Sequence, residues 1–210
     1  MMIKTPFLIP MALLALGACS NPEKTARYLI DPPVAGVQVP NRIGTAVLKD
    51  VSLPQYASDQ EVAFQTADGA VRSSPDNLWA DNPSRAFTTT LARTISEISG
   101  ATVIGEPWPL AERPAREIEI RVERALAQAD GIYRLSGRYF VADDASGQAN
   151  HARSFDIRVP LRAEGAAGTA AALSQALTQL AQQIATLSGP GTTIATRAPA
   201  ADPFGLPPLF

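Results

Sequence analysis

The chain has 210 residues, of which 46% are hydrophobic and 18% charged, with a formal net charge of −2. That length suits one domain, and the composition can build a core. With 18 Lys+Arg against 20 Asp+Glu, a pI near 5.4 and no basic run to track phosphates, the chain excludes a nucleic-acid binder. One Cys and one His also exclude an intrachain disulfide framework and the usual Cys/His zinc sites.

Met1 to Ala18 reads as a secretory signal, with Lys4 as the positive n-region and Phe7 to Leu16 as an apolar run too short to span a bilayer. The run ends in Leu16, Gly17, Ala18 and Cys19, which resembles the bacterial lipobox. The resemblance implies cleavage before Cys19, which would carry diacylglyceryl and N-acyl chains, with no other cofactor expected. Each buried acyl CH₂ contributes about 0.8 kcal/mol, so two or three chains anchor a small domain without a spanning helix. A cysteine that merely follows a cleaved signal would enter an oxidising compartment as a free thiol, so the anchor is the stronger reading. Ser20 stands where similarity to enterobacterial lipoproteins implies sorting to the outer membrane, facing the periplasm.

Residues 19–42 hold Pro22, Pro32, Pro33 and Pro40 and read as a lipidated N-terminus with an extended tether. The folded domain is expected over 43–188. A first strand near Thr45–Leu53 would put Val47, Val51 and Leu53 on one side. Glu61–Gln65 and Ala70–Arg72 flank Ala67-Asp68-Gly69 as a hairpin. Asn82 or Asp81 can cap a helix with Pro83 in its first turn, whose stripe is Phe87, Leu91, Ile95 and Ile98 and whose end is Gly100. Ala101–Gly105 is a short strand. Glu117–Glu123 alternates strictly, as a sheet with one dry face requires. After Asp130-Gly131 come Tyr133, Leu135, Tyr139 and Val141, then a polar loop over Asp143–Asn150, then Phe155, Ile157, Val159 and Leu161. Leu173, Leu177, Leu180, Ile184 and Leu187 mark a second amphipathic helix ending near Gly189, better read as lying on a sheet than as a short coiled coil. Residues 189–210, with five prolines, read as a loosely ordered tail. The expected architecture is α+β in a single domain: a mostly antiparallel sheet of six to seven strands carrying two amphipathic helices.

No catalytic constellation emerges. His151 falls in the polar hairpin loop, where a solvated imidazole is the plain reading, and a Ser/His/Asp triad would have to use it. Ser136-Gly137 lacks the features of a nucleophile elbow. Asp143 with Asp144, and the Glu117, Glu119 and Glu123 row, read as solvated charges. Trp79 and Trp108 sit beside prolines at element ends and read as packing groups more than pocket walls. No catalytic, metal or cofactor residue is assigned, and no enzyme activity is expected.

The order of these features resembles a known family. Its marks are the lipobox ending in Cys19, Arg27-Tyr28-Leu29, Val51-Ser52-Leu53-Pro54-Gln55-Tyr56 and Leu78-Trp79-Ala80 with Pro83. Leu91, Trp108-Pro109, Ile118-Glu119-Ile120-Arg121-Val122 and the last amphipathic helix follow in turn. Together, over residues 16–187, they resemble the ABC-type transport auxiliary lipoproteins. The segment Ala57–Val62 and Leu78 depart from the family's usual Pro/Arg-containing approach and basic residue. The resemblance implies an envelope lipoprotein working with an ABC transporter and an MCE-domain protein in moving lipids or other hydrophobic molecules between membranes. Exposed sheet edges would let such a domain dock partners and form homo-oligomers. A lipoprotein that regulates cell-wall synthesis or assists secretion-complex assembly would use the same anchor, and is the alternative.

Overall fold

The computed structural model describes residues 24–33, 36–143 and 149–195; the signal segment 1–18, Cys19 and Ser20 lie outside them. The described strands are β1 (Ala26–Tyr28), β2 (Thr45–Leu48), β3 (Phe64–Gln65), β4 (Val71–Arg72), β5 (Asn77–Trp79), β6 (Thr102–Gly105), β7 (Arg116–Ala127), β8 (Ile132–Asp143), β9 (Ala149–Pro160) and β10 (Gly191–Ala195). The helices are α1 (Gln55–Ser58), α2 (Pro83–Ser99) and α3 (Gly165–Ala185). The fold is α+β in one domain, with a mostly antiparallel main sheet and the two expected amphipathic helices, α2 and α3.

The main sheet runs β10-β9-β8-β7-β2-β6, with the β3–β4 hairpin joined where Phe64 pairs with Ala127 at the end of β7. The alternation read at 117–123 sets its dry face: Ile118 and Ile120 are fully buried, opposite Val141 and Tyr139 of β8. A bulge follows. Glu123 is the extra residue between Val122↔Gly137 and Arg124↔Ser136, and it moves the next inward position to Ala125. Leu135, Phe155, Ile157 and Val159 complete this face as the sequence pattern predicts.

Near β2 the inward face differs from the one expected. Ala46 and Leu48 are buried, and Val47 is not. β2 lies between two parallel neighbours, β6 and β7, and ends at Leu48. The chain then turns through Lys49-Asp50, which resets the two-residue period before Val51 enters the core. Period counting across a turn therefore chose the wrong face for Val47.

Asn82 caps α2 by accepting the Arg85 N–H at 3.1 Å, and Gly100 closes it in the left-handed region at φ 67°. Phe87, Leu91, Ile95 and Ile98 are buried against the sheet and α3. On α3, Leu173, Leu177, Leu180 and Ile184 are fully buried, but the helix stops at Ala185. Leu187 follows with φ 55°, partly buried against the core instead of continuing the stripe.

The described parts of two segments read as loose are docked. From Lys24 onward the tether contributes β1, parallel to β5, and then crosses the helices. The Asp31 N–H donates to Ser174 Oγ at 3.1 Å, the Val39 N–H to the Ile98 carbonyl at 2.8 Å, and Asn41 Nδ2 to the Gly100 carbonyl at 3.2 Å. Tyr28, Ile30 and Val39 pack on the core, which supplies the burial that a Pro-rich composition conceals. At the other end Gly191–Ala195 pairs antiparallel with Arg153–Ala149. A Cβ on Gly191, at φ 149°, would stand 2.0 Å from the Ala152 carbonyl oxygen, so only glycine lets this strand close on β9.

Candidate docking surface

The chemistry-bearing residues singled out in the sequence are dispersed in the structure. Leu16, Gly17, Ala18, Cys19 and Ser20 lie outside the described residues. His151 stands in β9, opposite Val141 and Thr193, and its Nδ1 is 3.2 Å from Thr193 Oγ1. This corrects the loop placement: β10 covers the strand end that the polar composition disguised. Asp143 is not solvated either. Its side chain is 1% exposed and accepts from Arg116 Nε at 3.2 Å. Glu117 pairs with Lys49 at 2.7 Å and Glu119 with Arg121 at 2.5 Å, as ion pairs on the wet face. Trp79 is buried beside Tyr28, and Trp108 Nε1 donates to the Glu112 carbonyl at 2.6 Å. Among the described residues, no three His, Cys, Asp or Glu side chains stand close enough together to hold a metal ion.

What the fold gathers instead is a face. Both long helices cover one side of the sheet, leaving the other side of β7, β8 and β9 to solvent. There Phe140, opposite Glu119 and Ala152, lies beneath two guanidinium groups: Arg121 at 5.2 Å and Arg138 at 5.6 Å from its ring centroid. Each such contact contributes about 0.5–1 kcal/mol at an exposed site. Nearby, Arg134 holds Asp156 through Nε at 2.8 Å and NH2 at 3.0 Å, and Arg158 adds a contact at 3.1 Å. The hydrogen bond from Arg134 is the main reason the Asp156 carboxyl is held below the usual range. A half-buried aromatic clamped by arginines is the side-chain chemistry enriched at the centres of protein interfaces. The signal was present in sequence: if Tyr139 and Val141 face inward, Phe140 must face out.

A second concavity, of about 580 Å³, follows the outer side of α3 between Asp31, Pro160 and Arg162. Its floor is Ala171, Gln175, Thr178, Gln179 and Gln182, and α3 carries no charged residue along its length. Burial pushes the hydroxyls of Tyr133 and Tyr139 well above their ordinary pKa, so both stay protonated near neutral pH. Tyr139 donates to the Gln183 carbonyl at 3.2 Å and to that of Ser188, tying the sheet to the end of α3. The geometry therefore offers surfaces for binding, built on a rigid frame.

The family model for the ABC-type transport auxiliary lipoprotein component matches residues 28–185, three quarters of the chain. The chain belongs to that family. This auxiliary lipoprotein is similar to the intermembrane transport lipoprotein PqiC of Escherichia coli K12 and to that of Shigella flexneri. Each is 27% identical over 163 residues, 76% of this chain and 81% of the relative. Two crystal structures share the fold. One, of an uncharacterized protein, superposes with a TM-score of 0.60 at 19% identity, covering 72% of this chain and 98% of its own. The other, from Xanthomonas campestris, gives 0.57 at 16% identity, covering 77% and 93%. No helix of the auxiliary lipoprotein among the described residues is long and apolar enough to cross a membrane.

Proposed function

We propose that this auxiliary lipoprotein is a non-catalytic docking subunit, held on the periplasmic side of the outer membrane by acyl chains on Cys19. There it engages an MCE-domain protein and the ABC transporter that move lipids or other hydrophobic molecules between the two membranes. The observation that carries this reading is the family match over 28–185 standing directly behind the lipobox Leu16–Cys19. The names of the PqiC relatives support intermembrane transport, and Ser20 supports outer-membrane sorting. The Arg121–Phe140–Arg138 cluster is the surface offered to the MCE partner, because arginine and aromatic side chains are enriched at the centres of protein interfaces and here already contact one another on the sheet.

Purification of the lipoprotein in mild detergent tests the partner. The expected result is co-purification of an MCE protein and transporter subunits, lost when Phe140→Ala and Arg138→Glu are combined. Recovery of penicillin-binding or secretion-complex proteins without any MCE subunit would overturn the transport reading in favour of the alternative. Palmitate feeding tests the anchor: Cys19→Ala is expected to abolish labelling and leave an unprocessed or mislocalised chain.

A further inference from the structure

We infer that the β3–β4 hairpin meets the lipid surface tip-first, with Phe64 on one face of the ribbon and Val71 on the other at the boundary between headgroups and acyl chains. The inference rests on the proposed acylation of Cys19. Lys24, the first described residue, is five positions after Cys19, and an extended chain spans at most about 3.6 Å per residue. The domain therefore leaves its anchor within about 18 Å of the acylated residue.

Strand register says which end that is. Ala26 pairs with Asn77 in parallel, and its N–H donates to the Asp76 carbonyl at 2.7 Å. Going backward from Ala26, the chain leaves β1 beside Asp76, at the Ser74–Asn77 turn that joins β4 to β5. The hairpin extends the same way: the Val62 N–H donates to the Asn77 carbonyl at 2.9 Å, and Phe64 pairs with Arg72 one step further on. The chain exit and the hairpin tip consequently point in one direction.

The hairpin's surface suits that position. Phe64 is 39% and Val71 45% exposed, and because Phe64 pairs with Arg72 and Gln65 with Val71 they lie on opposite faces of the ribbon, which gives each face one large apolar side chain. Its charges cancel. Between residues 64 and 72 only Asp68 and Arg72 are ionisable, and they pair at 2.9 Å. Asp68 also accepts from the Thr66 hydroxyl and from the Ala70 N–H at 3.2 Å, which holds the tip in shape. Within the tip the one carboxylate, Asp68, is compensated by Arg72, while Glu61, which accepts from the Ser73 hydroxyl, and Asp76 stand at the base of the hairpin.

Ile194 is the internal control. It is 63% exposed but pairs with Asn150, whereas Phe64 connects through Ala127 and Tyr133 to Val159. Nine residues of β9 separate those two levels, about 30 Å at strand rise.

The test uses full-length lipidated protein carrying Phe64→Cys, Val71→Cys or Ile194→Cys, spin-labelled and placed on vesicles of phosphatidylethanolamine and phosphatidylglycerol. An acylated Cys19 is a thioether, so each chain should take one label. Accessibility to a water-soluble nickel chelate is expected to fall at least ~threefold at positions 64 and 71 on adding vesicles, and to stay unchanged at 194. One label per chain with vesicle flotation, but equal accessibility changes at all three positions, would overturn the hairpin orientation and leave the anchor standing. Two labels per chain and no flotation would overturn the anchor, and the hairpin inference with it.

Discussion

In Gly137→Ala the added methyl would stand 2.2 Å from the Arg121 carbonyl oxygen, 3.0 Å from Val122 Cα and 3.0 Å from Phe155 Cζ. Two of these three neighbours are backbone atoms of the adjacent central strand, held by the β7–β8 ladder and by the bulge at Glu123. They cannot swing aside as a side-chain tip can. Relief requires opening the ladder by roughly 1 Å, and overpacking of this kind costs about 1–3 kcal/mol before any hydrogen bond is lost. One stranded buried carbonyl or N–H adds about 1–3 kcal/mol, giving a total of about 2–6 kcal/mol. For a domain of this size that lowers Tm by about 4–24 °C. Gly131→Ala is the comparison: nothing lies within 4 Å of its added carbon, and only its φ of 79° opposes the change. That backbone penalty is about 1–2 kcal/mol. Urea unfolding followed by circular dichroism ranks the two variants. A Gly137→Ala midpoint equal to wild type, or above that of Gly131→Ala, would refute the packing argument at the bulge.

Thr88→Val should cost about 1–3 kcal/mol, because Thr88 Oγ1 accepts the buried Val51 N–H at 3.0 Å and no strand ladder would replace it; Thr88→Ser, which keeps the hydroxyl, should lose less in the same unfolding assay. Ile120→Asp places an unpaired charge at a fully buried position, several kcal/mol against a total of about 5–15 kcal/mol, and should abolish the cooperative melt. His151 should make the fold acid-sensitive. Burial, then the positive charges of Arg153 and Arg116, hold its imidazole below the ordinary 6.5, so the unfolded chain takes up that proton at higher pH than the fold does. Stability is therefore lost as pH falls through 6.5 and levels off below the folded-state value. Urea midpoints across this window should slope less in His151→Asn than in wild type, while co-purification of partners stays intact.

Where a segment is long and pairs regularly, its composition was enough to read it. Glu117–Glu123 alternates because one side faces α3 and the other water, and Asn82, Pro83 and Gly100 bracket α2 through cap chemistry confined to a few residues. Short elements were harder. β1, β5 and β10 have three, three and five residues, too few to carry a period, and each exists because a distant partner completes its hydrogen bonds. β1 and β10 fall where proline content suggested loose chain. His151 and Asp143 look solvated in the sequence because a polar stretch does not say what reaches it: β10 pairs over His151, and Arg116 of β7 holds Asp143.

The amino-acid order alone determined the α+β class, the inward faces of α2, α3 and the long meander, and the motif behind the proposed anchor, since each depends on neighbours within a turn or a strand. Only tertiary structure decided which way Val47 points, that residues 24–33 and 36–42 strap the helices, and that Arg121 and Arg138 meet over Phe140. Those outcomes depend on contacts between residues far apart in the chain, whose free energy no local pattern encodes.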